Sequence, residues 1–552
     1  MYRIESLLSA RLFLVPQIVG ERIYFISNLS GHLSLYAMDF GGSVPEPLLP
    51  PDIALQNPHL LQGYSFYVLN DLEKIMVIID EDGNEEYKPM YIPLHGGYPT
   101  PAFEDAFEDD KVFLIDCFPK KHLAYLFASS KKESINRTYR ADLKTGKLDK
   151  LFESLFGGIP DGWNEDHTKI IIRETYTFGD NTIYLWDEGN KENETLYGVP
   201  ISNRRQGENV PLNGIHSCHF VPSERGIFMH TTIFEDFGGL GYLSLDHPNE
   251  IVPAGIEGEI HRGFGTFNGL SHLIGNRYLA KYNIDGCDWL YDGFFDEESL
   301  GFVIENNITG QGLFSDGVVE HVYYDKDGDI FILSFSSATS PNQIYTLEGN
   351  DLNKITQHTR ERVLAIDEEI LSPGEDASYT SFDGTQISAR LYLPTKGVNV
   401  ESPYPLVYYV HGGPQSQERP DFTWFSMPLI QYLTLNGFAV FVPNVRGSTG
   451  YGLQFMKEVD RDWGGKDRLD HVYAMTEFLP KDPRIDTSKT GVVGRSYGGY
   501  MTLMLAARHP ELWSAAVDMF GPYDLVTFSE RIPETWKPYF KLTLADPEDN
   551  AG

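Results

Sequence analysis

The 552-residue sequence predicts two domains of different class, an all-β propeller of seven blades over residues 1–370 and an α/β domain over residues 371–552. Three observations carry this. Before residue 370 the chain is a series of short β-rich runs between turns, with almost no helical periodicity. Within that half, an aromatic-led strand ending that runs into a Gly/Asn/Asp turn recurs seven times. After residue 370 apolar strands alternate with helices, the grammar of a parallel sheet covered on both faces.

The strands of the first half include Arg22–Ile26, Lys74–Ile79, Lys111–Ile115, Lys169–Ile172 and Asp329–Leu333. The recurring mark falls at Tyr36, Tyr91, Tyr139, Tyr184, Tyr242, Phe302 and Tyr345, with gaps of 55, 48, 45, 58, 60 and 43 residues. A period near fifty suits a four-stranded propeller blade and is too long for ankyrin or leucine-rich repeats. The charged stretch Arg360–Gly374 ends in Ser-Pro-Gly and reads as the junction.

In the second half, Pro405–Val410, Phe438–Val442, Gly491–Val493 and Ser514–Met519 read as strands. Phe425–Asn436 reads as a helix with Pro428 in its first turn and Gly437 as its stop. Lys466–Leu479 carries Leu469, Val472, Met475, Phe478 and Leu479 on one stripe. Gly498–Arg508 reads as a helix stopped before Pro510.

Composition excludes several functions. With 44 Lys+Arg against 79 Asp+Glu the formal charge is −35, which repels phosphate backbones and anionic membranes, so neither nucleic acid nor membrane is an expected partner. No apolar run reaches the roughly 18 residues needed to cross a bilayer. Leu12–Gly20 is apolar but contains Pro16 and Gln17 and reads as the start of the fold, not as a signal peptide. Cys117, Cys218 and Cys287 are odd in number and far apart, which argues against a disulfide framework. These features together point to a cytoplasmic protein.

The chemistry concentrates at Gly494-Arg495-Ser496-Tyr497-Gly498-Gly499, a G-x-S-x-G pattern between a strand and a helix. In a chain with 52 glycines the pentapeptide alone carries little weight. Its strand–turn–helix setting makes it a nucleophile elbow of the α/β-hydrolase kind, in which glycines two residues either side of the serine relieve a strained turn. The turn would lift the Ser496 hydroxyl above the sheet and set the Tyr497 amide at a helix N-terminus. His411-Gly412-Gly413-Pro414 follows the strand Pro405–Val410, and Gly413 is the candidate for the second oxyanion amide.

Four blocks in order, VHGGP from Val410, PNVRGSTGYG from Pro443, DWGGKDRLD from Asp462 and GRSYGGYMT from Gly494, resemble the prolyl oligopeptidase family of serine peptidases, closest to its acylaminoacyl-peptidase and dipeptidyl-peptidase-like branch. The resemblance covers residues 375–552 in sequence and agrees in architecture with a seven-bladed propeller before it. It implies hydrolysis of oligopeptides by acyl transfer through Ser496, with the Gly413 and Tyr497 amides as oxyanion hole and no cofactor. Arg446–Gly452 reads as a structural turn. The sequence is silent on oligomeric state, and a homo-oligomer stays open.

One departure stands out. The family order is Ser, then acid, then His. After Ser496 the only histidine is His509, thirteen residues on, and Asp518 and Asp524 come one strand too early. His411 belongs to the oxyanion loop. The hydrolase domain is therefore expected to be incomplete, without its triad acid and base, and to expose a sheet edge. Two alternatives remain open, a carboxylesterase on the same fold and a non-catalytic propeller scaffold with a vestigial hydrolase half. His216, Cys218 and His219 lack a second ligand pair at metal spacing. The acidic run Asp80–Glu86 puts Gly83 fourth where a calcium loop needs its glycine sixth. No phosphate- or dinucleotide-binding glycine fingerprint occurs.

Overall fold

The computed structural model describes residues 2–60, 63–81, 83–205, 208–422 and 426–545. The first 357 residues form seven four-stranded antiparallel units in ring order, the second with one extra short strand. The ring closes by apolar packing. Phe13, Ile18 and Phe25 of the first blade lie against Ile332 and Ile344 of the seventh, and the Phe13 amide donates to Asn342 Oδ1 at 3.1 Å. The fifth and sixth blades merge into one eight-stranded sheet, because their outer strands Ile251–Glu257 and Gly301–Asn307 pair in parallel.

The aromatic mark sits on the third strand of six blades. In the sixth, Phe302 lies instead on the outer strand Gly301–Asn307, and the third strand is Cys287–Asp296. That displacement produces the long gap before Phe302 and the short one after it. Six of the seven innermost strands slip register once or more against their neighbours, at Leu14/Gln17, Leu114/Asp116, Pro160/Gly162, His216/His219, Phe267/Gly269 and Val319/His321. Each slip is an irregularity of the bulge type, which interrupts the alternation of side chains and re-aims those beyond it. Two declined clusters are explained locally. His216 packs its ring 4.0 Å from His230, Cys218 is buried, and His219 Nε2 lies 3.1 Å from Leu270 O. Asp80 accepts from the Glu85 amide at 3.0 Å, while Asp82 of the same run lies outside the described residues.

The second domain is a seven-stranded sheet in the order Glu375–Asp376, Gln386–Tyr392, Ala439–Asn444, Tyr404–Val410, Ile485–Arg495, Ala515–Met519, with the short strand Tyr379–Thr380 also pairing with Gln386–Tyr392. It is not wholly parallel as expected, since Gln386–Tyr392 runs antiparallel to Ala439–Asn444. The helix Ser426–Leu435 starts one residue inside the expected span, whose Phe425 lies outside the described residues, and ends with Gly437 at φ +92°. It buries Met427 and Ile430 against Tyr409 and Val440, each side chain contributing roughly 1.5–3 kcal/mol. The short helix Ile4–Leu8 joins this core through Leu7, so the first turns of the chain lie against the second domain although sequence grammar grouped them with the propeller. The amphipathic stretch from Lys466 is α-helical to Tyr473, then widens into a π turn over Ala474–Phe478.

Both faces of the sheet are not covered throughout. The strand Ala515–Met519 is exposed from Ala515 to Asp518 and pairs on one side only. Val517 is 54% and Phe520 77% exposed.

Candidate active site

The strand Ile485–Arg495 ends at Ser496, and the helix Tyr497–Arg508 starts on the next residue. Ser496 has φ 57° and ψ −121°, a conformation that costs an L-residue strain and persists only where its surroundings over-determine it. What holds it is close packing. A Cβ on Gly494 would fall 2.1 Å from Gly498 O, and one on Gly498 would fall 2.1 Å from Val410 O and 2.7 Å from His411 O. The Ser496 amide donates to Met519 O at 3.0 Å. Between two buried neighbours, Gly494 and Tyr497, Ser496 itself is exposed.

The loop after Tyr404–Val410 abuts this turn. A Cβ on Gly412 would lie 3.1 Å from Arg495 O and 3.5 Å from Ser496 Cβ. Gly413 takes φ +122°, which favours glycine. Neither the Gly413 amide nor the Tyr497 amide has an acceptor among the described residues, and Tyr497 is the first residue of its helix, where such amides are free.

His411 turns away from Ser496. Its Nδ1 is 2.6 Å from Gly412 O and its Nε2 2.9 Å from Ser448 Oγ. Burial lowers its pKa, so the ring is neutral at pH 7 and carries one N–H. The Ser448 hydroxyl in turn donates to Val445 O at 2.6 Å, so the ring is held between the Gly412 carbonyl and a hydroxyl anchored to its own loop. The histidine therefore fixes the loop that carries Gly413. His509 contacts the Arg468 guanidinium and lies 3.8 Å from Glu511. Asp518 accepts from the Gly521 amide at 2.8 Å, and Asp524 caps the helix Leu525–Arg531. Among the described residues the Ser496 hydroxyl has no hydrogen-bond partner.

Two residues unassigned from sequence prove central to the site's support. The Tyr497 phenol donates to Asp467, which also accepts from the amides of Gly464 and Arg468 at 3.1 and 2.7 Å. Removal from water pushes the Asp467 carboxyl up to about 6. Arg446, 1% exposed, pairs with Asp470 at 2.7 Å, Glu458 at 2.8 Å and Asp383 at 3.0 Å. These account for the PNVRGSTGYG and DWGGKDRLD blocks, whose family resemblance was the signal. The loop leaving Gly413 is tied to the propeller. Gln417 accepts from Asn283 at 2.5 Å, Arg419 pairs with Asp288 at 2.7 Å, and the Phe422 amide donates to Ser336 at 3.2 Å.

A propeller joined to a sheet with a strained serine turn and two free amides beside it defines the α/β-hydrolase class of protein. Residues 423–549 match the sequence profile of the prolyl oligopeptidase family. Over that stretch the chain is similar to the family. An uncharacterised peptidase of Bacillus subtilis, YuxL, is 35% identical over 181 residues, 32% of this chain and 26% of its own length. Dipeptidyl aminopeptidase BIII of Pseudoxanthomonas mexicana is 28% identical over 41% of this chain and 33% of its own. These matches thus span a third or less of the relatives' length. Among solved structures, a puromycin-hydrolysing peptidase of Mycobacterium tuberculosis superposes with TM-score 0.78 at 16% identity, covering all of this chain and 84% of that one. The acylaminoacyl peptidase of Pyrococcus horikoshii gives 0.64 at 16%, covering 98% and 82%. Such likeness extends the fold over both domains.

Proposed function

We propose that this protein is a serine-type peptidase that cleaves short peptides through an acyl-enzyme on Ser496. The observation that supports it most is the exposed serine in a strained turn, with the acceptor-free amides of Gly413 and Tyr497 on either side. In this reading the Ser496 oxygen attacks the scissile carbonyl carbon as its proton passes to a base. The two amides receive the charge that grows on the carbonyl oxygen, the C–N bond breaks, the amine leaves with a proton, and water releases the acid. Relatives named as dipeptidyl aminopeptidase and puromycin-hydrolysing peptidase favour amide over ester substrates.

The base is the open part. No described histidine reaches Ser496, since His411 and His509 are held elsewhere. Loss of the histidine from such a site costs on the order of 10⁶ in kcat, leaving roughly 10³–10⁴ over water from the oxyanion amides and binding. The 552 residues alone are therefore expected to turn over peptides at that residual level. This same observation favours a non-catalytic scaffold as the second reading.

A fluorophosphonate probe decides between them. The protein produced from its whole gene should be labelled at Ser496, and Ser496→Ala should abolish labelling. A folded protein that stays unlabelled would establish the scaffold. Turnover of peptide anilides above short-chain esters would separate peptidase from carboxylesterase.

A further inference from the structure

The seven blades surround a channel whose outer part is a cavity of about 1180 Å³. It opens among the turns that join first and second strands, such as Pro119–Lys121 and Asp325–Gly328. The hydrolase domain meets the opposite face, at turns between second and third strands, through Thr177, Asp236 and Ala338. This chamber is thus remote from the Ser496 turn.

Its wall holds an acid without a countercharge. Asp116 lies on the innermost strand Asp110–Phe118, immediately beyond the register slip that follows Leu114. Its carboxylate accepts from the adjacent Cys117 amide at 2.7 Å, and no cation stands within 4 Å of it among the described residues. The lysines of the neighbouring turn are engaged elsewhere, Lys120 with Asp327 at 2.6 Å and Lys121 with Asp166 at 3.7 Å. Lys326 is the one cation whose field reaches the carboxylate. Three phenols, Tyr64, Tyr67 and Tyr323, are close enough to feel its charge, and the first two stack edge to face at 5.4 Å. Burial holds the carboxyl up to about 7, the consequence of a negative charge taken from water and left unneutralised.

An ammonium group meets all of these conditions. It supplies the missing positive charge and up to three donors. Phenol rings attract it face-on through the negative face of their quadrupole. Phosphate or carboxylate ligands would be repelled by Asp116 and by the chain's charge of −35. We infer that the outer propeller chamber binds a ligand bearing a primary ammonium, of the size of a short peptide, with Asp116 as its countercharge and Tyr64, Tyr67 and Tyr323 as its walls. The inference does not depend on chemistry at Ser496.

The test uses Ser496→Ala protein, so that nothing is hydrolysed. It is titrated by calorimetry at pH 8 with tetra-alanine amide and with its N-acetylated counterpart. The free amine should bind at least tenfold more tightly than the acetylated peptide, and Asp116→Asn should erase that preference. Lys326 is exposed, so Lys326→Met serves as a second variant that keeps the chamber folded. Removing its competing charge should tighten the free peptide several-fold. Equal binding of the two peptides, an unchanged preference in Asp116→Asn, or no gain in Lys326→Met would each overturn the inference.

Discussion

The phenol of Tyr497 is hydrogen-bonded to the buried carboxyl of Asp467, and the amide of the same tyrosine is one of the two free donors beside Ser496. One residue thus carries the oxyanion candidate on its backbone and the anchor of the helix start on its side chain. Trp463 packs edge to face on its ring at 4.9 Å.

Tyr497→Phe keeps the backbone amide and removes the anchor. A hydrogen bond to a charged group contributes about 1.5–3 kcal/mol, so the melting temperature should fall by several degrees. Fluorophosphonate labelling of the whole-gene protein should slow several-fold at unchanged probe affinity. Unaltered labelling would show that the phenol supports folding alone.

Gly498→Ala places a methyl against two carbonyl oxygens of the strand end, at 2.1 and 2.7 Å. Backbone cannot yield as a side-chain tip does, and overpacking costs up to about 3 kcal/mol. The variant should lose labelling entirely and show a lowered unfolding midpoint in urea. Wild-type labelling would refute the tight-turn geometry.

Acid should destabilise the fold. Burial depresses six histidines to about 3 or 4, namely His167, His216, His219, His321, His358 and His471, and His230 well below its ordinary value. A depressed histidine adds stability above pH 6.5 that is lost as pH falls toward its folded value. Asp116, Glu418 and Asp467 act oppositely, raised to about 7, 8 and 6, their contribution present at low pH and lost as pH rises through those values. Near pH 5.5 unfolding should therefore take up roughly four protons net. Melting temperatures should change little between pH 7.5 and 7 and fall increasingly from pH 7 to 5, and a rise over that lower range would contradict the buried-histidine account.

The strand Ala515–Met519 should govern solubility. An exposed apolar edge is a template for pairing with another chain. Val517→Lys, at a position already 54% exposed, should change stability by no more than about 0.5 kcal/mol. It should also reduce aggregation measured by light scattering on warming. Identical scattering would place the sticky surface elsewhere.

Much of the architecture was legible from residue order. The aromatic marks counted the blades, although Phe302 marked an outer strand because aromatic-plus-turn endings are not confined to one strand of a blade. The expected parallel sheet carries an antiparallel strand, Gln386–Tyr392, which apolar content cannot distinguish from a parallel one. The roles of Asp467 and Arg446 were illegible, since their partners Tyr497 and Asp470 lie 30 and 24 residues away.

Local sequence by itself determined the elbow, since a serine between closely spaced glycines after an apolar strand has few backbone solutions, and it determined the excess of negative charge. Only the tertiary structure decided which groups hold the His411 ring, the Gly412 carbonyl and the Ser448 hydroxyl, and that Asp116 stands in a channel without a countercharge. Both depend on which distant groups a side chain meets, and the energies of charge and burial are set by that neighbourhood, not by position along the chain.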